Sequence, residues 1–293
     1  MSGPVVVGVD GSPSSLAAVE VAAREARLRG SGLRLVHAFG WPSGHVPPGV
    51  PPWNPADVGL RVLVDGTLAD AERRAQAVAP QVDVTRDVVV GEPLTVLEIE
   101  SRTAELAVVG TRGLGKFAAL LLGSTAVHLV THGRCPVLVV RGRPDPEGPV
   151  LLAVDGSRGA VGAVEFAFAE ASLRGAELLA LHVWNICTER AYDHPADPPF
   201  ASYDEERLRA VEERLLAESL CGLRDKYQDV AVRHRLVRGR IRPSLIEAGG
   251  GAQLVVVGAR GRGGFAGLLL GSVSQAVLQH AHCPVAVVRT GKE

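Results

Sequence analysis

LAVVGTRGLGKFAALLLGSTA, Leu106 to Ala126, returns later in the chain as LVVVGARGRGGFAGLLLGSVS, Leu254 to Ser274. Each copy opens on a short apolar run that stops at a glycine (Gly110, Gly258). After two intervening residues comes a second glycine (Gly113, Gly261), and after nine more a Gly-Ser pair (Gly123-Ser124, Gly271-Ser272). The repeat is not confined to this loop. VVVGVDGS, Val5 to Ser12, returns as VLLAVDGS, Val150 to Ser157; RLVHAF, Arg34 to Phe39, as LALHVW, Leu179 to Trp184; CPVLVVR, Cys135 to Arg141, as CPVAVVR, Cys283 to Arg289. Asp10 and Asp155 are 145 residues apart and Gly110 and Gly258 are 148 apart, so one connection differs by three residues. This is a tandem duplication of a whole domain, since solenoid units repeat at about 20 to 50 residues. The join falls in GRPDPEGP, Gly142 to Pro149, a charged stretch rich in proline and glycine. Residues 1–142 and 150–293 are therefore read as two domains and 143–149 as their linker.

Within each copy short apolar runs alternate with longer helical patterns, the signature of βαβ units and a parallel sheet covered on both faces. In the first copy strands are expected near Val5 to Val9, Leu33 to Ala38, Val82 to Val90, Leu106 to Val109 and Val137 to Val140. The first helix carries Leu16, Val19, Ala23 and Ala26 at helical spacing and ends at Gly30, as its counterpart ends at Gly175. Between the second strand and second helix, FGWPSGHVPPGVPPWNP, Phe39 to Pro55, exceeds the length of about 12 to 15 residues beyond which a connection is usually functional or disordered.

In an open parallel sheet, ligands bind outside the carboxyl ends of the strands where strand order reverses. The residues with special chemistry gather at those ends: Asp10 and Asp155 after the first strand of each copy, Gly110 and Gly258 at the end of the fourth. The stretch GTRGLGK, Gly110 to Lys116, resembles a P-loop, but a Walker lysine needs Ser or Thr next to it to hold magnesium, and here Phe117 follows. Glycines let backbone amides approach an anion, and Ser124 and Ser272 can cap the next helix and put phosphate at its positive end. Asp10 and Asp155 are themselves good helix caps. His37 and His182 read as satisfied, partly buried strand residues, and Cys135 and Cys283 as packing residues. HGRC and HAHC, His132 to Cys135 and His280 to Cys283, lack a second ligand cluster at zinc spacing, so no metal site is assigned.

Composition narrows the function. A formal net charge of -1 and the lack of a basic tail argue against binding nucleic acid through bulk electrostatics. Four cysteines without Cys-x-x-Cys spacing suit a reducing compartment. MSGPVVVGVDGS has no basic leader region, and no stretch approaches the roughly 18 apolar residues of a membrane span. The expectation is a cytoplasmic protein without membrane contact.

The first-strand aspartate, the doubled glycine loop, the Leu-Val-His second strand and the Cys-Pro-Val-x-Val-Val last strand resemble the universal stress protein family, in its tandem, ATP-binding form. The resemblance covers nearly all of both halves. It implies two doubly wound α/β domains, each a five-stranded parallel sheet of order 3-2-1-4-5 with helices on both faces and ATP, with Mg2+ compatible, at the carboxyl edge. By position, Asp10 and Asp155 would lie near ribose or metal, with Gly8 beside the first, and the backbone of Ala38 and Val183 would line the adenine. Gly110, Thr111, Arg112, Gly113, Leu114, Gly115 and Lys116, with Gly123, Ser124 and Thr125, would hold ribose and phosphates. Their counterparts are Gly258, Ala259, Arg260, Gly261, Arg262, Gly263 and Gly264, with Gly271, Ser272, Val273 and Ser274. Lys116 becomes Gly264, so a mechanism shared by both copies cannot need that lysine. The resemblance further implies pseudo-two-fold packing of the halves through their last strands and a homodimer.

The leading expectation is an ATP-binding stress-response or growth-regulating protein with little or no turnover. The alternative is a slow ATPase or nucleotidyl transferase of the same architecture. Phosphoryl transfer needs a residue that positions the nucleophile, and no candidate recurs in both copies.

Overall fold

The computed structural model describes residues 3–39, 58–113, 122–143, 147–185, 205–262 and 269–289. Most of the proline-rich connection (beyond Phe39), Leu114, Gly115, Lys116, Gly263 and Gly264 lie outside the described residues. The chain divides into two compact units, Met1–Val140 and Arg141–Glu293. Arg141 and Arg143 pack with the second unit, Arg141 donating from its guanidinium to the Leu278 carbonyl and Arg143 from its amide to that of His282 (2.9 Å).

The first unit runs β1 (Val5–Gly8), α1 (Pro13–Arg29), β2 (Leu33–Phe39), α2 (Val58–Val78), β3 (Val84–Val90), α3 (Pro93–Glu100), β4 (Leu106–Gly110), α4 (Ser124–His132) and β5 (Val137–Val140). Its strands are all parallel, in the order β3-β2-β1-β4-β5. Val5 lies opposite Leu33 on one side and Leu106 on the other, so β1 is central. Successive strand residues face opposite ways, yet Val5, Val6 and Val7 are all buried, so helices cover both faces of the sheet. This arrangement explains the unbroken valine run: a half-solvated strand would alternate.

The second unit repeats the plan with β6 (Val150–Val154), α5 (Val161–Arg174), β7 (Leu178–Trp184), α6 (Glu205–Ser219), the one-turn α7 (Leu223–Lys226), β8 (Val232–Arg238), α8 (Ile241–Ala248), β9 (Leu254–Gly258), α9 (Ser272–His280) and β10 (Val285–Val288). The order within it is β8-β7-β6-β9-β10, again parallel. All seven residues of β7 are buried.

Local chemistry sets the boundaries of α1. Ser12 caps it, accepting from the Ser15 amide at 3.1 Å; Pro13 opens it; Gly30 closes it at φ 62°, a left-handed position that costs glycine little. Val19, Ala23 and Ala26 are buried as expected, but Leu16 is only half-buried and Ala18 and Ala22 complete the inner face. Small alanines let the helix lie close to the sheet. The expected start of the third strand at Val82 moves to Val84, because the Val82 amide donates to Ala79 in a turn.

Near the carboxyl end of α1, buried Glu25 pairs with Arg29 one turn on, and Arg29 also reaches Glu105 (3.5 Å). α5 repeats the device with Glu170 and Arg174 (2.9 Å). Removing one member of a buried pair leaves a charge uncompensated, so Arg29→Met is expected to cost about 3 kcal/mol, read from the urea midpoint of the full chain. A second ionic contact joins α3 to α4. The His128 bond to Glu98 (2.9 Å), opposed by burial and aided by the charges of His128, His132 and Arg102, holds the Glu98 carboxyl below its ordinary pKa. A lowered folded-state pKa adds stability that is full above the unfolded value and is lost as pH falls through the folded one. The stability difference between the natural chain and Glu98→Gln is therefore expected to be present at neutral pH and to shrink in acid, measured by denaturation across pH.

Candidate functional site

In each unit the chain leaves the central strand toward one side and returns on the other, opening a crevice at the carboxyl ends of β1 and β4, and of β6 and β9. Asp10 stands there, just past β1. One carboxylate oxygen, Oδ1, accepts from the Ser12 amide at 2.9 Å across a turn in which Gly11 takes φ 82°. Asp155 does the same with Ser157 at 2.9 Å, and Gly156 takes φ 67°.

The other oxygen points at the loop after the fourth strand. A Cβ on Gly113 would lie 2.3 Å from Asp10 Oδ2, and one on Gly261 would lie 2.3 Å from Asp155 Oδ2. The Arg262 amide donates to that second oxygen at 2.9 Å. Each aspartate thus braces two loops together, and the glycine spacing records this contact. Each loop is closed at its neck by one backbone bond, from Gly123 to Thr111 (2.7 Å) and from Gly271 to Ala259 (2.8 Å).

Helix capping differs from expectation. Neither aspartate is an N-cap: Ser12 caps α1, and α5 is approached through a single 3-10 turn, Arg158–Ala160. Ser124 and Ser272 do not cap either. Gly123 and Gly271 hold the cap positions, and the serines begin α4 and α9. The first intrahelical bonds there are Val127 to Gly123 and Gln275 to Gly271, so the amides of Ser124, Thr125 and Ala126, and of Ser272, Val273 and Ser274, have no intrahelical acceptor.

The two sites are not copies in detail. In the first, Ser12 Oγ donates to the Arg112 carbonyl (3.3 Å), the Arg112 amide donates to Ser14 Oγ (3.4 Å), and Ser14 and Thr111 hydroxyls lie 3.4 Å apart. A Cβ on Gly110 would come within 2.4 Å of Ser14 Oγ, so only glycine lets β4 and α1 meet this closely. In the second, Gly159 and Ala259 replace Ser14 and Thr111, and the nearest described atom to a Cβ on Gly258 would be the Arg260 carbonyl oxygen at 3.2 Å. Ser274 Oγ donates to the Gly258 carbonyl (2.6 Å) where the first copy has Ala126. Ser157 Oγ is buried with no hydrogen-bond partner among the described residues. Gly8 has a packing reason: a Cβ there would meet Leu97 Cδ1 at 2.8 Å, whereas the second copy has Ala153. Arg112, Arg260 and Arg262 are exposed beside the loops.

Behind each aspartate a histidine holds the end of the central strand. His37 Nδ1 donates to the Val9 carbonyl (2.8 Å) and His182 Nδ1 to that of Val154 (2.7 Å). Ala38 and Val183, the next residues along, pair in register with Val89 and Val237. His182 Nε2 also meets Glu212 Oε2 of α6 at 2.6 Å, both side chains buried, so a second proton lies between them. Burial raises the Cys135 thiol to about 11 and the Cys283 thiol to about 12, keeping both protonated at the start of the last strands. The serine ties of α1 and the histidine-to-strand bonds were not read from the sequence. The Ser-x-x-Ser at Ser12 to Ser15 was the available signal for the first.

Comparison with known proteins shows the family. A family model described as the universal stress protein family matches residues 1–141 and again 148–289. Universal stress protein Rv2623 of Mycobacterium tuberculosis is 38% identical over 298 residues, covering 97% of this chain and 96% of its own. A universal stress protein of Mycolicibacterium smegmatis is 39% identical over 295 residues, with 97% and 96% covered. The crystal structure of a universal stress protein from Archaeoglobus fulgidus matches 100% of this chain and 98% of its own, with a TM-score of 0.69 at 20% identity, a likeness of fold. The chain belongs to the universal stress protein family, in its two-domain form. No helix among the described residues is long and apolar enough to cross a membrane.

Three substitutions test the geometry. Gly113→Ala is expected to push the Asp10 carboxylate off the loop and to lower stability by about 1 to 3 kcal/mol. Gly66→Ala, in α2 with no described atom within 4 Å of the added carbon, is expected to raise it by about 0.5 to 1 kcal/mol; chemical denaturation of both variants reads the contrast. Glu212→Ala is expected to cost about 3 kcal/mol by stripping His182 of its buried partner, measured in the same way.

Proposed function

We propose that each half binds one adenine nucleotide, ATP with its Mg2+, at the carboxyl edge of its sheet, and that the protein acts in the cytoplasm as a nucleotide-dependent stress-response regulator with little or no turnover. The observation that carries this reading is the doubled brace: an aspartate after the central strand, pressed against a loop glycine, beside the open first turn of a helix. A Cβ on either loop glycine would displace the carboxylate, so the spacing has a structural purpose that recurs in both halves.

The described loop amides of Arg112, Gly123, Arg262 and Gly271 are engaged within the fold. Phosphate would therefore meet the first-turn amides of α4 and α9, where the helix dipole favours an anion, with the exposed Arg112, Arg260 and Arg262 alongside. The Ser14 and Thr111 hydroxyls in one half, and in the other the Ser157 hydroxyl, which has no partner among the described residues, give the two sites different polar walls. Unequal affinities follow from that difference.

Mass analysis of nucleotide released from the purified, denatured protein is expected to find adenine nucleotide, and equilibrium dialysis to find two ATP per chain. Asp10→Ala with Asp155→Ala is expected to weaken ATP by roughly tenfold or more, the scale of a lost charge-assisted contact. Unchanged affinity in a folded variant would leave the aspartates as loop braces only. Phosphate release by the same preparation is expected to be slow; rapid release would favour the ATPase reading.

A further inference from the structure

The two halves part company at their outer strands. β8 is the outermost strand of the second unit, paired on one side with β7; no strand among the described residues pairs with its other edge. From β8 into α8 the chain reads RHRLVRGRIR, Arg233 to Arg242, and Arg233, His234, Arg235, Arg238, Arg240 and Arg242 are all exposed. Arg233 pairs with Glu177 (3.1 Å), and Arg238 pairs with Glu205 (2.5 Å) and lies over the Trp184 ring (5.9 Å). No carboxylate pairs with Arg235, Arg240 or Arg242 among the described residues.

The first half supplies an internal control. The equivalent positions in and after β3 are Thr85, Arg86, Asp87, Val90, Glu92 and Leu94. Arg86 pairs with Glu72 (3.3 Å) and Asp87 with Arg34 (3.0 Å), so that edge is near neutral. Glu92 stands at the positive end of α3, where a carboxylate is favoured; its counterpart at α8 is Arg240, with no acidic residue in the first turn. Nothing in the fold requires an arginine where the helix dipole opposes it. The positive charge has been gathered on this edge against local preference.

Charge on an edge strand ordinarily blocks pairing with other chains. Here it blocks a like edge, because two copies of β8 side by side would set arginine against arginine. It leaves the edge open to a strand of opposite sign. We propose that β8 is a docking edge for an acidic, extended polypeptide segment of a partner protein, which adds as a strand and sets carboxylates against Arg235 on the strand and, past its end, near Arg240 and Arg242 at the start of α8. The backbone groups on the edge of β8 that no described strand pairs would supply the ladder, and opposite charges facing Arg235 across the strands and meeting Arg240 and Arg242 beyond them would supply selectivity. A nucleic acid would satisfy the charges and leave the strand's amides unmatched.

The test uses the full-length protein and a short fluorescent peptide alternating Glu and Thr. It is compared by anisotropy with a Lys-Thr peptide, with the Glu-Thr peptide N-methylated at alternate amides, and with a single-stranded oligonucleotide of equal charge. The Glu-Thr peptide alone is expected to bind, more weakly as salt rises from about 50 to about 200 mM. Arg235→Glu with Arg242→Glu is expected to weaken binding by roughly tenfold or more. Should that variant unfold, Arg235→Gln with Arg242→Gln is expected to weaken it in the same direction. Equal binding of the N-methylated peptide overturns strand addition, equal binding of the oligonucleotide overturns the polypeptide partner, and absence of peptide binding overturns the docking edge altogether.

Discussion

A carboxylate at the end of the central strand touches the backbone of a loop that lies about a hundred residues away in sequence. In each half the aspartate receives the amide of the turn that follows it and presses its second oxygen against a glycine of the fourth-strand loop. One side chain therefore sets the distance between the two loops that frame the crevice. Glycine is needed opposite because any larger residue would occupy the place of the oxygen. The strand order, with the chain departing to one side of the central strand and returning on the other, is what brings these loops together at all.

The brace also changes how the glycine loop works. A glycine-rich sequence suggests a string of amides turned toward an anion. Several of those amides are instead spent inside the fold, on the aspartate, on Ser14 and on the carbonyls that close each loop's neck. What remains open in the described structure is the first turn of the following helix, capped by glycine with serine at its first position. In the proposed reading an anion would meet this helix turn, with the loop holding the helix end beside the carboxylate.

Duplication has let the halves diverge while keeping this arrangement. The first half ties its loop to α1 through hydroxyls; the second lacks them and carries a buried histidine and glutamate where the first has His37 and the apolar Val64. The outer strands diverge further, one near neutral and one strongly basic. Divergence at the periphery costs little stability because edge positions are exposed, whereas the valine-rich central strands have no such latitude.

Much of the fold was legible in the sequence. Unbroken apolar runs of strand length, Gly30 and Gly175 as helix stops, and the exact recurrence of the loop spacing define two parallel α/β domains before any coordinate is seen, because these features depend on local periodicity and backbone freedom. The site was legible as a set of positions. Its internal assignments were not: that Ser12 rather than Asp10 caps α1, that Gly123 and Gly271 rather than the serines cap α4 and α9, and that His37 and His182 hold the ends of the central strands. Those depend on which side chain reaches a given amide or carbonyl first, and only the packed chain, with strands and loops distant in sequence brought within about 3 Å, decides that competition.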